Sequence, residues 1–426
     1  MKFSKAPGTK DILPEEAVIW EEVEKRIKEV ARAYFYGEII TPALESAGLF
    51  IHSVGNSTDI VTKEMYAFTD KGGREITLKP EGTASVARAY IENNLNLKPK
   101  PVKLFYIDCF HRYERPQKGR LREFHQFGAE VFGSLSPLIE IELIELSFEI
   151  LKRLGFDDKV LSVDINTIGC RNCNPKYKEV LKEYIYNHRE KLCKDCINRI
   201  DKNVLRILDC KDEGCINITE GAPTIFDYLC EDCKTHFQEL IENLIKFNIN
   251  FKLNHRLVRG LDYYNRTVFE VIFPSLGAQN AILGGGRYDY LVSDLGGPDT
   301  PACGFALGLE RLIMLITENN LLKIPQVNPF VYIVNTGEDT LLESFKLAKI
   351  LRDENIITDL DLDGKGIKRG LSNAEKRKAM KAIIIGEDEL KSNKFILRDM
   401  ASHTQERYTI AEILEILKSK LKVKDL

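Results

Sequence analysis

Three stretches of the chain group arginines with carboxylates and hydroxyls in ways that could do chemistry. In residues 105–133, two strand-like runs flank the charged loop RPQKGRLRE. Period-two alternation puts Arg112 and Glu114 on one face of the first run, with His111 and Tyr113 on the other. In the second run Gln126, Gly128 and Glu130 share a face opposite Phe127, Ala129 and Val131. A sheet face with an arginine, a glutamine and a glutamate would suit a polar zwitterion, and the loop arginines Arg115, Arg120 and Arg122 would suit phosphate. A merely solvated sheet face with a charged turn is the competing reading. The second stretch, LVRGLDYYNRTVFEV (257–271), sets Arg259, Asp262, Tyr263 and Tyr264 ahead of a strong strand. The third joins GGGRYDYLV to PACGFALGLERL. Three consecutive glycines, Gly284 to Gly286, cost chain entropy, and close approach of the backbone to a planar ligand would justify them. Ala302, Gly304, Ala306 and Gly308 leave one strand face flat, and Arg311 enters the first turn of a helix, where a bound anion would offset the unfavourable dipole. Neither a Walker lysine loop nor a dinucleotide-binding glycine fingerprint is present, so any ATP would lie on an antiparallel sheet.

Eight of the ten cysteines form four close pairs: Cys170/Cys173, Cys193/Cys196, Cys210/Cys215 and Cys230/Cys233. Four thiolates complete a structural zinc site, and eight could make two. Free thiols are the alternative, and the pairing among pairs is not readable from spacing. Cys109 and Cys303 stand apart in apolar contexts and read as small core residues. Between Lys365 and Lys381 seven basic residues, among them Lys368, Arg369, Lys376 and Arg377, face Glu375 alone, a net +6. Such a strip is an electrostatic footprint for nucleic acid, with a solvated helix face as the bland alternative.

The elements that must position these residues follow from periodicity. Helical spacing predicts helices over 15–36, 83–97 (Thr83 as cap) and 137–154; strands are expected over 37–45, 102–113, 124–133, 267–273 and 302–308, with a helix from Leu309. Residues 166–250, charged and rich in helix formers, interrupt this pattern as an insertion. The prolines of 324–329 suggest a linker, after which strands and helices alternate to the end as a small α/β module. The expected class is therefore α+β, with one body over 1–325 and a second over 326–426. The chain has 426 residues, 44% of them hydrophobic and 29% charged, with 61 Lys and Arg against 64 Asp and Glu, a net charge of −3. Whole-chain charge gives no sign of nucleic-acid binding, so any basic surface must be local. The N-terminus lacks an apolar signal core and no run approaches the ~18 apolar residues a bilayer span requires. A cytoplasmic protein without membrane contact is the expectation.

Taken as an ordered series, these segments resemble the class II aminoacyl-tRNA synthetases, and within them the histidyl-tRNA synthetase family. The resemblance runs through PGTKDILPEEA, a first class motif around Pro42, TDIVTKEMYAFTDKGG, TLKPEGTASVARAY, FHRYERPQKGRLREFHQFGAEVFG, LVRGLDYYNRT, GFALGLERL, GIKRGLSNAEKR and IIIGEDEL. It implies an antiparallel class II sheet flanked by helices, the Cys-rich insertion, and a C-terminal anticodon-binding domain. It implies ATP-driven formation of histidyl-adenylate, with Mg2+ on the outgoing phosphates, and transfer of histidine to tRNA(His) by a homodimer. By the same resemblance Arg112 would hold the α-phosphate and the histidine carboxylate, with Glu81, Gly82 and Thr83 around the ammonium. Gln126 would contact the amino-acid backbone, Glu130 and Tyr264 would bracket the imidazole near Tyr263, and Arg259 would be the catalytic arginine. Glu114 and either Arg120 or Arg122 would attend ATP, with Arg311 on its γ-phosphate. Lys79 and His111 depart from the family pattern, but strand parity turns both away from the ligand. Zinc on the cysteines would be structural. The competing function is a histidine-binding regulatory subunit of ATP phosphoribosyltransferase; such paralogues typically lose the arginine motifs and the C-terminal domain, and both are present here.

Overall fold

The computed structural model describes residues 3–55, 58–273, 281–323, 330–362, 364 and 366–422. The chain divides into two compact units, Met1–Ile324 and Pro325–Leu426. The expected linker at 324–329 lies outside the described residues.

The first unit contains the strands β1 (Gly37–Glu38), β2 (Leu44–Ser46), β3 (Tyr66–Thr69), β4 (Glu75–Leu78), β5 (Val102–His111) and β6 (Glu123–Phe132). It continues with β7 (Ser162–Thr167), β8 (Phe251–Leu253), β9 (Asn265–Ile272), β10 (Ala281–Arg287) and β11 (Ala302–Gly308). Eight of these form one sheet in the order β1-β5-β6-β11-β10-β9-β7-β8, antiparallel apart from the parallel edge pairs β1/β5 and β7/β8. The strand expected over 37–45 is instead two short pieces in different sheets, because Pro42 breaks the run and β2 pairs with β4 in a separate three-stranded sheet.

Alternation decides the two faces. Phe105, Phe127, Ala129, Val131, Phe269, Val271, Phe305 and Leu307 turn to one side and pack with residues of the helices Pro14–Ala33, Leu138–Arg153, Glu231–Lys246 and Leu309–Glu318. The opposite face carries polar and small residues together with Tyr106, Phe110 and Phe132, which pack with residues of the helices Ala47–Val54 and Thr83–Glu92. Cross-strand register aligns Tyr106, Gly128, Ala306, Gly284 and Glu270 in one row across five strands. The row's three central members are small, which leaves a trough that other side chains enter: the Tyr106 ring lies over Gly128. Arg112 lies just past the end of β5, so it is not a strand residue as alternation suggested; its backbone N–H still bonds the Arg122 carbonyl at 2.9 Å.

One buried cluster ties four elements together, two helices and the strands β9 and β10. Glu140 accepts bonds from Arg287 Nε and Nη2 (2.7 and 2.8 Å), His236 (2.7 Å) and Thr267 (3.1 Å). Burial alone would raise its pKa, but Arg287 and then His236 win and hold the carboxyl at about 2. The insertion is mainly helical as expected: Asn174–Asn187, Lys194–Arg199, Glu213–Glu220 and Glu231–Lys246 surround a small core of their own.

The second unit holds β12 (Val331–Asn335), β13 (Thr358–Leu360), β14 (Lys381–Ile385), β15 (Phe395–Asp399) and β16 (Gln405–Tyr408), in the order β13-β12-β14-β15-β16. Periodicity missed β15 and β16, a hairpin of short, mixed strands. The first three strands are parallel, and the two inner ones, β12 and β14, carry the apolar runs Val331-Tyr332-Ile333-Val334 and Ala382-Ile383-Ile384-Ile385, as expected of a sheet covered on both faces. Among the described residues no helix is long and apolar enough to cross a membrane.

Candidate active site

A cleft of about 390 Å³ lies over the trough, bordered by Arg112, Glu114, Arg120, Gln126, Arg259 and Arg311. The hairpin β5–β6 brings the first four of these residues together, and the helix Leu309–Glu318 adds Arg311 in its first turn. Arg259 lies over the trough floor. A Cβ on Gly284 would come within 2.3 Å of its Nη1, and Glu270 grips the guanidinium as an ion pair. The room made by Gly284 is thus taken by an arginine side chain rather than left for a planar ligand. Arg112 is oriented by its Nε bond to the Pro80 carbonyl (2.8 Å) and rests on the Phe124 ring at 5.2 Å. Burial lowers the pKa of Arg311, and neighbouring Arg120 lowers it further. Five cations, Arg112, Arg120, Lys211, Arg259 and Arg311, line one cleft with four acids among them, and Arg259 Nε is buried without a hydrogen-bond partner among the described residues, so the guanidinium groups can take a polyanion.

Beside this cleft sits a second, fully buried group. Glu81 caps the helix Thr83–Glu92, accepting the N–H groups of Thr83 (2.9 Å) and Ala84 (2.8 Å), while Tyr263 donates its hydroxyl at 3.3 Å. The capping side chain is therefore Glu81, and Thr83 is freed to donate its hydroxyl to Glu130 at 2.7 Å. Tyr288 donates to the other oxygen of Glu130. A Cβ on Gly304 would fall 1.8 Å from Glu130 Oε2, so only glycine fits opposite it on β11. Burial raises the pKa of Glu81 and pushes Glu130 up to about 8, against the bonds from Tyr288 and Thr83. No Lys or Arg pairs with either carboxylate among the described residues. Two buried carboxylates without a counter-cation form a receptor for a cationic ligand.

Tyr264 packs against Tyr263 (centroids 4.7 Å apart) and lies 5.9 Å from the Arg259 guanidinium. Gly82 has the Tyr106 ring pressed against it. Arg122 is not brought to the cleft: it stacks on Tyr113 at 3.8 Å and bonds the Glu114 carbonyl at 3.2 Å, leaving Arg120 as the loop arginine there. Lys79 is buried and bonds Thr41 and Asp108, whereas His111 lies 3.5 Å from Glu123. Cys109 is only half-buried and adjoins His111 and Glu123, unlike the core residue expected; Cys303 is buried. Residue-by-residue reading missed Tyr288, Glu270, Asp209 and Lys211. Glu270 carried a signal, a lone carboxylate between Phe269 and Val271. Tyr288 did not, because a register shift between Gly286 and Arg287 breaks the strand parity.

In the second unit Lys368, Arg369, Lys376 and Arg377 are exposed on and just after the helix Ile367–Lys376. Arg377 is paired with Asp359 at 2.6 Å. Lys381 does not belong to the basic surface: it is buried and paired with Asp399, because it opens the central strand β14. Lys365 lies outside the described residues.

Residues 8–312 match the family model for histidyl-tRNA synthetase and residues 330–420 that for an anticodon binding domain. The chain is 45% identical to a histidine–tRNA ligase of Desulfitobacterium hafniense over 417 residues, covering 98% of each chain. It is also 45% identical to that of Caldicellulosiruptor bescii, covering 99% of this chain and 100% of the relative. The structure of apo S. aureus histidyl-tRNA synthetase superposes with a TM-score of 0.81 at 32% identity, covering 98% of this chain and all of that one. On this evidence the chain belongs to the histidyl-tRNA synthetase family.

Proposed function

We propose that the chain activates L-histidine with ATP and transfers it to the 3′ end of tRNA(His). The observation that carries this reading is the nearness of two charge receptors: a pair of buried carboxylates, Glu81 and Glu130, with Glu81 within reach of the Arg112 charge, beside a cleft lined by Arg112, Arg120, Arg259 and Arg311. A ligand with cationic and anionic ends satisfies both. Glu81, Gly82 and Thr83 receive the ammonium, Gln126 contacts the amino-acid backbone, and Glu130 with Tyr264 and Tyr263 takes the imidazole. A hydrogen-bonding pocket of this kind rejects side chains without matching donors and acceptors.

Arg112 holds the histidine carboxylate against the α-phosphate. That carboxylate attacks the phosphorus in line, and the bond to the leaving pyrophosphate breaks. Arg259 offsets the negative charge that develops there without any proton transfer. Arg120 and Arg311 hold the outer phosphates, and Glu114 orients Arg112 and Arg120 from 3.7 and 3.6 Å. Of the acids that line the cleft, Glu310 is taken by His125 and Asp209 by Lys211, so Glu114 and Glu270 are the carboxylates that would hold Mg2+, which would neutralise the outgoing phosphates. The terminal ribose hydroxyl of the tRNA then takes the acyl group, while the 326–426 module grips the anticodon arm through Lys368, Arg369, Lys376 and Arg377. Exposed Phe35, Ile40 and Leu44 around Pro42 support a homodimer. The intact arginine set argues against the regulatory-subunit reading. Histidine-dependent ATP–pyrophosphate exchange tests the proposal: wild type exchanges, and Arg259→Ala falls by about 10²–10³-fold. Equal rates in the two proteins would remove the catalytic assignment.

A further inference from the structure

The eight paired cysteines come together as two sets of four: Cys170, Cys173, Cys230 and Cys233 in one, Cys193, Cys196, Cys210 and Cys215 in the other. In each set all four sulfurs lie within 4.8 Å of one another. In the first the neighbouring Sγ···Sγ distances are 3.3, 3.8, 3.6 and 3.6 Å, and in the second Cys193 and Cys210 are 3.9 Å apart. Four bonds of about 2.3 Å to one tetrahedral ion put the sulfurs roughly 3.8 Å apart. Four near-equidistant sulfurs suit one ion better than two disulfides, which would sort them into bonded and distant partners. Backbone N–H groups already point at the sulfurs: Asn172 to Cys170, Cys196 to Cys193 and Cys193 to Cys215, at 3.3–3.5 Å. Such donors offset thiolate charge.

We infer that the insertion is a two-zinc module whose second ion fixes one wall of the catalytic cleft. The first set clasps the base of the insertion. Cys173 and Cys230 cap the helices Asn174–Asn187 and Glu231–Lys246, the first element after β7 and the last before β8. The second set holds the interior, where the helices Lys194–Arg199 and Glu213–Glu220 have only six and eight residues and are too short to be stable alone. Cys210 lies between Asp209 and Lys211, which pair at 2.9 Å and line the same cleft as Arg259 and Glu270, close enough for their charges to act on Glu270. The same segment reaches the Arg259 loop again, where Asn203 donates to Asp262 at 2.9 Å and Arg256 donates to the Cys210 carbonyl at 3.0 Å. Four protein sulfurs leave no open coordination position, so each ion is structural, and the second set acts on the cleft as a positioning group.

Only the activity readout rests on the proposed function; metal binding does not. Elemental analysis of the purified full chain is expected to give two zinc ions, and cobalt replacement should give the absorption bands of tetrahedral tetrathiolate sites. Zero or one ion, or iron in their place, overturns the assignment. The double variant Cys193→Ser/Cys210→Ser should keep one zinc and raise KM for ATP about tenfold in pyrophosphate exchange, with kcat little changed. The single variant Cys210→His, which still offers a fourth ligand, should keep both zinc ions and the wild-type KM. Two zinc ions in the double variant would overturn the grouping, and an unchanged KM after loss of one ion would overturn the positioning role. Two zinc ions in a wild-type chain that shows no exchange would support the metal sites and refute histidine activation.

Discussion

Two carboxylates of the first unit, Glu130 and Glu140, are equally buried and carry opposite charge preferences. Glu140 lies among Arg287, His236 and Thr267, and its pKa falls to about 2. Glu130 is met by two hydroxyls and a nearby carboxylate, and its pKa rises to about 8. Burial penalises both alike; the presence or absence of a fixed cation decides the outcome. The first arrangement is complete within the chain and welds the Leu138–Arg153 helix, the insertion and the sheet. The second has no Lys or Arg paired with it among the described residues. Buried acids that look alike in the sequence thus divide into one paired with a cation inside the fold and one that has only hydroxyls for partners.

The largest expected effect comes from breaking the complete site. Arg287→Met leaves Glu140 without its main partner inside the core, at a cost of about 3–5 kcal/mol. Chemical denaturation should show that loss. A change under 1 kcal/mol would mean that the cluster is not the weld described. Glu130→Gln should do the reverse. It removes an unpaired buried acid, so stability at pH 8 should hold or rise, while kcat/KM for histidine in pyrophosphate exchange should fall about 100-fold, the value of a hydrogen bond to a charged group. Lost stability with unchanged histidine use would make Glu130 a structural residue.

How far this contrast could be read beforehand depends on what spacing encodes. Alternation placed Gln126, Gly128 and Glu130 on one face, since the pleat alone dictates it. The ordered motifs pointed to Arg112, Arg259 and Arg311. What spacing could not supply were partners set by tertiary packing: Tyr288 on Glu130, Glu270 on Arg259, and Arg287 on Glu140, whose acid sits 147 positions away. The grouping of the cysteines was hidden for the same reason, because pairs 60 residues apart meet only once the helices between them have folded. Arg122 and Lys381 show the same limit, because a basic residue in a basic stretch looks free until Tyr113 or Asp399 is found beside it.

Proton linkage separates the two acids a second time, with opposite sign. The folded pKa of Glu140 is depressed below the unfolded value of about 4.3, so its stabilisation is present above that pH and disappears as pH falls toward 2. The folded pKa of Glu130 is raised, so the folded state prefers the proton, and stability drains as pH climbs from about 4.3 to about 8. Glu140→Gln should flatten the acid limb of a stability–pH curve and Glu130→Gln the neutral limb; the same limb moving in both would dissolve the contrast. Binding a cationic ligand displaces the proton from Glu130, so KM for histidine should fall as pH rises toward 8, and that slope should weaken in Glu130→Gln.

The smallest effect concerns the rim, where solvent weakens every charge. Arg120 borders the cleft, half exposed, whereas Arg122 is stacked on Tyr113 and held to the Glu114 carbonyl. Arg120→Ala should raise KM for ATP by about fivefold, the upper end of an exposed ionic contact. Arg122→Ala should act through the loop instead: with its stacking partner gone, the hairpin tip loosens and kcat falls modestly while KM for ATP stays near wild type. Equal KM changes would show that both arginines reach the nucleotide. The rim would then resemble the floor less than the buried acids suggest, with its ligand contacts chosen by loop motion and not by fixed packing.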